Sequence, residues 1–562
     1  MVFFSYLSRK NTNEEFFYVF VLTLTLSIFV FINLGKANLS TNFIFNNSFI
    51  KYLYLKFSSN KVLQIISLFI FLILTQNDIL NFETIDSDIN SYLVTSKDIL
   101  RGNLPYENQW ESKTPMLYVF YAIFILLSGE SLVYFKLLND FLLFLVVLLM
   151  FKITKIKYQN GNAQPFITAC LYISFMSFDW AKAEYSEIYV VFFLGLSYLY
   201  ILKINNKYSV FKAGIFFSIA TLVNQGSLIF FIPLIYSINK RFRPFFPNSF
   251  KFIIGTIIPH FITLCIYYFN GLFDIYYVTL FKIPLTYTQT NFVFIEQMVV
   301  YIRSIYQHNY ILFFIFFSIS IFFIGTILKL IFNKNFQNTF INFDNEINLF
   351  ILFSVLFYYM AAKGYYHHTL FVIFFSTFLI NQFSSKNFLI FFNVAVLVCS
   401  LSILFTTINP SSNNLKNLNN VENNYPLKQL AYLIDGYFDE EYTVLAFDYN
   451  LILYYLDKPN YSYIVHPQNH YEEFVTNELI KLDLIKPNEI TELIADEPDV
   501  ILCSGTQIIN GKVTQINEFN CEVSDYNRKY KKLKTDQFRY SKNINFYPDP
   551  YREVGVYLKI ND

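Results

Sequence analysis

Between residues 61 and 408 the chain alternates apolar runs with short polar connections, and the runs predict membrane helices rather than core strands. They fall at 62–78, 133–151, 164–179, 188–202, 213–224, 227–239, 252–269, 310–328, 347–362, 369–381 and 388–406, after an earlier run at 15–34. Several reach about 18 to 20 residues, the length that crosses ~30 Å of hydrocarbon. The pattern predicts a polytopic α-helical membrane protein with about 11–12 transmembrane helices. No small-residue cleavage site follows the run at 15–34, so it reads as an extra span and not as a signal peptide. Residues 116–128 (MLYVFYAIFILLS) are apolar but short, and they are assigned to a helix lying at the outer interface.

Past residue 408 the pattern changes. Residues 409–425 (NPSSNNLKNLNNVENNY) are polar and turn-rich and read as a linker. Beyond them, Tyr442–Phe447 and Val500–Cys503 read as short buried strands, and Leu427–Leu433 and Glu489–Ile494 as helices. Strands alternating with helices predict a small α/β domain over 426–562. The division is therefore 1–60 (extra helix and connection), 61–408 (membrane domain), 409–425 (linker) and 426–562.

Charge orients this scheme. Lys36, Lys51, Lys56 and Lys61 lie between the first two runs with no acidic residue among them, which places that connection in the cytoplasm. Lys152, Lys155 and Lys157 close the run at 133–151 in the same sense. The segment from Thr84 to Leu117 and the domain at 426–562 then lie on the extracytoplasmic side. Net charge is +1, so global charge points to no nucleic-acid partner. The 54 % apolar content and mean hydropathy of +0.38 exceed what a soluble chain needs. Of five cysteines, Cys503 and Cys521 lie in the polar C-terminal part, where an oxidising compartment would let them pair.

The segment Thr84–Leu117 is dense in acidic, polar, Gly and Pro residues. Asp86 and Asp88 open it, and either can N-cap a helix running from Ile89 to Leu100. Tyr92 shares a helix face with Asp88. Tyr106, Trp110, Glu111, Lys113 and Pro115 follow in a compact turn. Glu184 and Glu187 open the run at 188–202 on the same side, where a helix-dipole role is equally natural. His367 and His368 close the run at 347–362. Taken singly, Lys113 is a snorkelling lysine and the histidines are interfacial imidazoles. Together they put cations and donors beside carboxylates at one membrane face, which suits a lipid phosphate with an acid nearby to take a proton.

The residues Asp88, Tyr92, Gly102, Pro105, Tyr106, Trp110, Lys113 and Pro115 form an Asp-x-x-x-Tyr … Gly … Pro-Tyr-x-x-x-Trp-x-x-Lys-x-Pro pattern. It resembles the first outer loop of GT-C class integral-membrane glycosyltransferases. The nearest group is dolichyl-phosphate-mannose-mannosyltransferase-like, with lipopolysaccharide core transferases and, more distantly, the lipid A aminoarabinose transferase. The resemblance covers roughly residues 62–405 and includes Ala183-Glu184-Tyr185-Ser186-Glu187 and Gly364-Tyr365-Tyr366-His367-His368. Departures stand out in the motifs, at one lysine position, and in the helix at 15–34, which has no counterpart in the family. Asp88-Ile89 replaces Asp-Glu, Lys113-Thr114-Pro115 replaces Lys-Pro-Pro, and Asn224-Gln225 stands where a Lys is frequent.

The resemblance implies transfer of a sugar from a polyprenyl phosphate to an acceptor hydroxyl of a lipid, glycan or protein, outside a bacterial inner membrane. It assigns Asp88 as the base that takes the acceptor's proton. Lys113, His367 and His368 would hold the phosphate as its charge grows. Glu187, with Glu184 as rival and Asp86 beside them, would orient the acceptor or hold a divalent cation, Mg or Mn. Tyr92, Tyr106, Trp110 and Glu111 would shape the site. The alternative is a transporter or flippase of lipid-linked sugars, which calls for groups near the midplane of paired helices, with Pro259 and His260 as candidates. The C-terminal domain could cover the cleft or bind the acceptor, and nothing in it reads as catalytic.

Overall fold

The computed structural model describes residues 60–83, 86–158, 163–182, 184–203, 208–287, 294–332, 344–361, 365–383, 386–503, 507–509, 512–514, 529–533 and 555–560. The expected span at 15–34 lies outside them, as do Gly364 and Cys521. Among the described residues four helices are long and apolar enough to cross a membrane: Lys61–Ile79, Leu132–Tyr158, Phe245–Phe269 and Leu389–Lys416. Five apolar helices are shorter: Pro115–Leu127, Ala163–Phe175, Ser186–Leu202, Ser209–Val223 and Asn345–Met360. Among the described residues the expected crossings thus appear as apolar helices of unequal length, the Tyr310–Phe332 helix among them. The reason is that several apolar runs are broken by 3₁₀ turns, at Gln225–Phe230 after Asn224 and at Thr377–Gln382 after Leu370–Ser376. The Pro115–Leu127 helix, at about 1.5 Å per residue, covers only about 20 Å.

Small residues let two of these helices touch backbone to backbone. A Cβ on Gly214 would collide with the carbonyl of Phe252, and one on Gly255 with the carbonyl of Phe211. Neither position tolerates a larger residue while the Ser209–Val223 and Phe245–Phe269 helices keep that approach.

The bundle has two chemically distinct ends. At one end Glu346, fully buried, accepts from Lys157 and Arg241, while Lys157 also reaches Asp344 at 3.0 Å. Tyr198 donates to Glu346 at 3.1 Å, and Tyr158 to Asp344 at 2.9 Å. The other end of the same helices carries Glu187 at the start of Ser186–Leu202 and Met360 at the end of Asn345–Met360. The C-terminal module sits at this second end.

The expected linker at 409–425 is a correction. The last bundle helix runs unbroken through it to Lys416, and short helical turns fill 418–424. Its polar side chains explain why. Ser411 donates to the Leu74 carbonyl at 2.6 Å, and Asn414 donates to the carbonyls of Asn77 and Asp78 at 2.8 and 3.1 Å. These asparagines and serines pack on the neighbouring helix instead of loosening the chain.

The C-terminal module is built on a four-stranded sheet in the order Val444–Ala446, Val500–Cys503, Gly555–Lys559, Tyr530–Lys532. The first pair is parallel, with Val444 opposite Val500, and the other pairs are antiparallel. A parallel pair needs a long crossover. The helices Leu451–Leu456, Glu473–Lys481 and Glu489–Ala495 supply it. Cys503 is disulfide-bonded, whereas Cys170, Cys265 and Cys399 are free.

Candidate functional site

The segment from Asp86 to Pro115 owes its shape to a local capping device. Asp86 is the N-cap of the Ser87–Leu100 helix: its Oδ1 accepts from the amides of Asp88 and Ile89 at 3.0 and 3.3 Å. Its Oδ2 accepts from the Tyr185 hydroxyl at 2.7 Å. Burial and the neighbouring Asp88 charge push Asp86 up from the ordinary carboxylate range. The cap question is therefore answered by Asp86, and Asp88, in the first turn, is left to face a cavity.

That cavity, about 260 Å³, is lined by Asp88, Glu111, Lys113, His367, His368 and His466, with Ile229, Ile283, Phe357 and Met360 forming apolar wall. Burial pushes the Asp88 carboxyl up, but the hydrogen bond from His466, with the Lys113 charge behind it, holds it well below its usual range. Lys113 makes no ion pair within 4 Å among the described residues. Its Nζ lies 6.0 Å from the centre of the Tyr92 ring. Desolvation works against its charge, and Asp88, Glu187, Glu111 and Asp86 together outweigh that, so it stays cationic. A lysine in a field of acids but bonded to none is open to an anionic ligand.

Glu111 is the turn's anchor rather than a free acid. It accepts from the Lys113 amide at 3.0 Å, from Ser112 Oγ at 2.9 Å and from the Tyr118 hydroxyl. Tyr106 sits at φ 73°, a left-handed conformation costly for a bulky residue, and its hydroxyl donates to the Lys113 carbonyl. Tyr92 packs edge-on against Tyr118 and Tyr121. Trp110 is fully buried and lines no part of the cavity. Its indole donates to Thr279 at 2.9 Å, and its backbone bridges to Ile464 of the C-terminal module.

Glu187 and Glu184 are separated by the structure. Glu187 lies in the first turn of its helix, with Oε1 accepting from Asn224 at 3.1 Å and Oε2 from Ser186 at 3.1 Å. Glu187, His367 and His368 each offer one donor atom, all within 4.8 Å of one another. Glu184 lines no part of the cavity, and its Oε2 has no hydrogen-bond partner. Desolvation raises its carboxyl, opposed by Lys136. His367 is stacked against Tyr185, ring centres 4.5 Å apart, with Tyr365 also stacked at 5.6 Å. Burial, with Lys113 adding to it, lowers His367 to about 3 despite Asp88, so the ring is neutral at physiological pH. His368 is likewise lowered, and its Nδ1 has no partner. Both rings therefore offer lone pairs, not charge.

A residue absent from the sequence-based site is the most direct partner of Asp88. His466 of the C-terminal module places Nε2 at 2.8 Å from Asp88 Oδ1. No spacing rule links positions 378 residues apart. The C-terminal domain, in which nothing reads as catalytic from sequence, thus contributes a side chain to the cavity wall. The transporter candidate His260 is accounted for by a bond to Thr221 Oγ1 at 2.8 Å.

No family model matches the sequence, and no curated protein matches it. A solved structure does. The crystal structure of ArnT from Cupriavidus metallidurans bound to undecaprenyl phosphate superposes with a TM-score of 0.54 at 10 % identity. The match covers 88 % of this chain and 97 % of that one. The chain shares the ArnT fold. The apo form of the same protein gives a TM-score of 0.40 at 10 % identity over 78 % of this chain and 92 % of that one.

Proposed function

We propose that this chain is a membrane glycosyltransferase that moves a sugar from a polyprenyl-phosphate donor to an acceptor hydroxyl on the extracytoplasmic face. The observation that carries the reading is the placement of Asp88 and an unpaired Lys113 on one cavity, in a fold shared with an ArnT that was crystallised with undecaprenyl phosphate. Attack of the acceptor oxygen forms a new bond to the anomeric carbon as the bond from that carbon to the phosphate oxygen breaks. The polyprenyl phosphate leaves with the electron pair, and the hydroxyl proton passes to Asp88. Lys113 neutralises charge growing on the departing phosphate, where a preorganised cation is worth most. The apolar wall of Ile229, Ile283, Phe357 and Met360 suits the lipid side of the donor.

Glu187, His367 and His368 would hold a divalent cation. Two imidazoles and one carboxylate suit Mn or Zn better than Mg, which prefers oxygen ligands. The unpartnered, buried His368 Nδ1 fits that role. Such an ion would supply Lewis acidity beside the phosphate. Metal analysis of the purified protein tests it: one equivalent in wild type, lost in His368→Ala, is expected, and a metal-free wild type refutes it. In this orientation the lysine-rich helix ends are cytoplasmic and the C-terminal module faces outward, in the cell-envelope compartment where the Cys503 disulfide persists.

The experiment is transfer of label from radiolabelled undecaprenyl-phosphate sugars by membranes holding wild type or Asp88→Asn. Loss of about 10²- to 10⁴-fold is expected on removal of a general base. Equal transfer by both proteins removes Asp88 from that role.

A further inference from the structure

We infer that His466, on the C-terminal module, is a positioning residue for Asp88, so that the module completes the catalytic site instead of merely covering it. This rests on the transferase reading above and deepens it. The segment that carries His466 is sewn to the outer loop along its length. The Trp110 amide donates to the Tyr463 carbonyl at 2.6 Å, and the Val465 amide returns a bond to the Trp110 carbonyl at 3.0 Å. Gln109 accepts from the Asn460 amide at 2.9 Å, and Asn450 donates to Ser91 on the helix of Asp88 at 2.7 Å. His466 follows directly, 5 % exposed, at the cavity wall.

The two ring nitrogens have different partners. Nδ1 accepts the Gln468 amide at 3.2 Å as the N-cap of the short turn Pro467–His470, so that nitrogen carries no proton. The ring proton of the neutral imidazole is then on Nε2, which donates to Asp88 Oδ1 at 2.8 Å. Asp88 accepts no other hydrogen bond among the described residues. One oxygen is thus fixed by His466, and Oδ2 is left free to take the acceptor's proton. The other groups around this pair are Asp86 on the same helix as Asp88, Lys113 and Glu111 on the outer loop, and His367 across the cavity. Lys113 supports the carboxylate by field alone, and only His466 bonds it. Capping accounts for Nδ1 but leaves the Nε2 contact unexplained, so the two roles separate in variants.

The test compares His466→Asn and His466→Gln in the full-length protein with the same labelled donors. Asparagine can cap the Pro467–His470 turn but is too short to reach Asp88, whereas glutamine can place an N–H where Nε2 stood. Expected is a fall in kcat of about ten- to a hundred-fold for His466→Asn with KM unchanged, and recovery of most of it in His466→Gln. Unchanged kcat in His466→Asn, or equal loss in both variants, overturns the inference. Inactive Asp88→Asn beside fully active His466→Asn sinks His466 alone; active Asp88→Asn sinks the underlying reading. A readout free of turnover is histidine ¹⁵N resonance of the full chain. An Nε2–H tautomer for His466 that shifts in Asp88→Asn is expected, and an Nδ1–H tautomer or no shift refutes the contact.

Discussion

The two ends of the helical bundle hold similar side chains and use them in opposite ways. At the Glu346 end, one buried carboxylate is met by Lys157, Arg241 and Tyr198, and Asp344 takes up the remaining reach of Lys157. Charges are matched, donors are placed, and nothing is left over. At the Asp88 end, Lys113 has acids around it but bonds none, His368 has a bare nitrogen, and Asp88 has one oxygen held and one free. Buried ion clusters persist when their members satisfy each other, whereas a cluster left incomplete around a cavity is a site waiting for a ligand. The lesson is that completeness, not charge content, separates scaffold from site in this protein.

The comparison breaks most sharply at Glu346. Replacing it with Ala leaves Arg241 without its counter-charge and Lys157 with Asp344 alone, and a loss of about 3–5 kcal/mol is expected. Thermal unfolding in detergent reads it; a variant as stable as wild type would put that cluster in the same class as the site. Lys113→Met is the mirror case. Affinity for undecaprenyl phosphate should fall about ten- to a hundred-fold, the worth of a charged hydrogen bond of about 1.5–3 kcal/mol, with thermal stability close to wild type. Reduced stability with intact lipid binding would make Lys113 scaffold.

The smallest expected effect lies between the two regions, at Asp457, where the C-terminal module meets Lys97 and Arg101 at 3.1 and 3.0 Å. Partial burial is the largest single influence on Asp457 and raises it, but the lysine and arginine contacts together more than offset this and hold it below its ordinary range. A depressed carboxylate stabilises above its unfolded pKa of about 4 and loses that contribution as pH falls through its lower folded value. The group is 63 % exposed, so solvent screening limits it to less than about 1 kcal/mol. Hydrogen exchange across Leu451–Leu456 should be unchanged from pH 8 to pH 5 and rise modestly only in stronger acid. A large rise near neutrality would assign docking to another group.

Much of this was legible in the chain. The spacing from Asp88 to Pro115 marks the polar loop because Gly, Pro and Trp fix a turn that brings Lys113 back to the cavity that Asp88 lines. The strand expected at Tyr442–Phe447 forms at Val444–Ala446, and that at Val500–Cys503 forms as expected, because both are short runs fully buried in one sheet. Other features lacked a local signal. Residues 409–416 read as linker because their asparagines and serines find partners only on the Lys61–Gln76 helix and the turn after it. Glu184 and Glu187 look equivalent in sequence, and only the helix start at Ser186 turns one toward Asn224 and the histidines and the other away. His466 could not be found at all, since its bond to Asp88 exists only once the module docks through Trp110 and Ile464.

The contrast between a closed and an open charge cluster is tested most directly by determining the structure of the full-length protein with undecaprenyl phosphate. Its phosphate should lie about 3 Å from Lys113 Nζ, in the cavity that Asp88 lines, with the Glu346 cluster unchanged. A phosphate bound instead at Lys157 and Arg241, or a Lys113 that stays out of reach of the bound lipid, would contradict it.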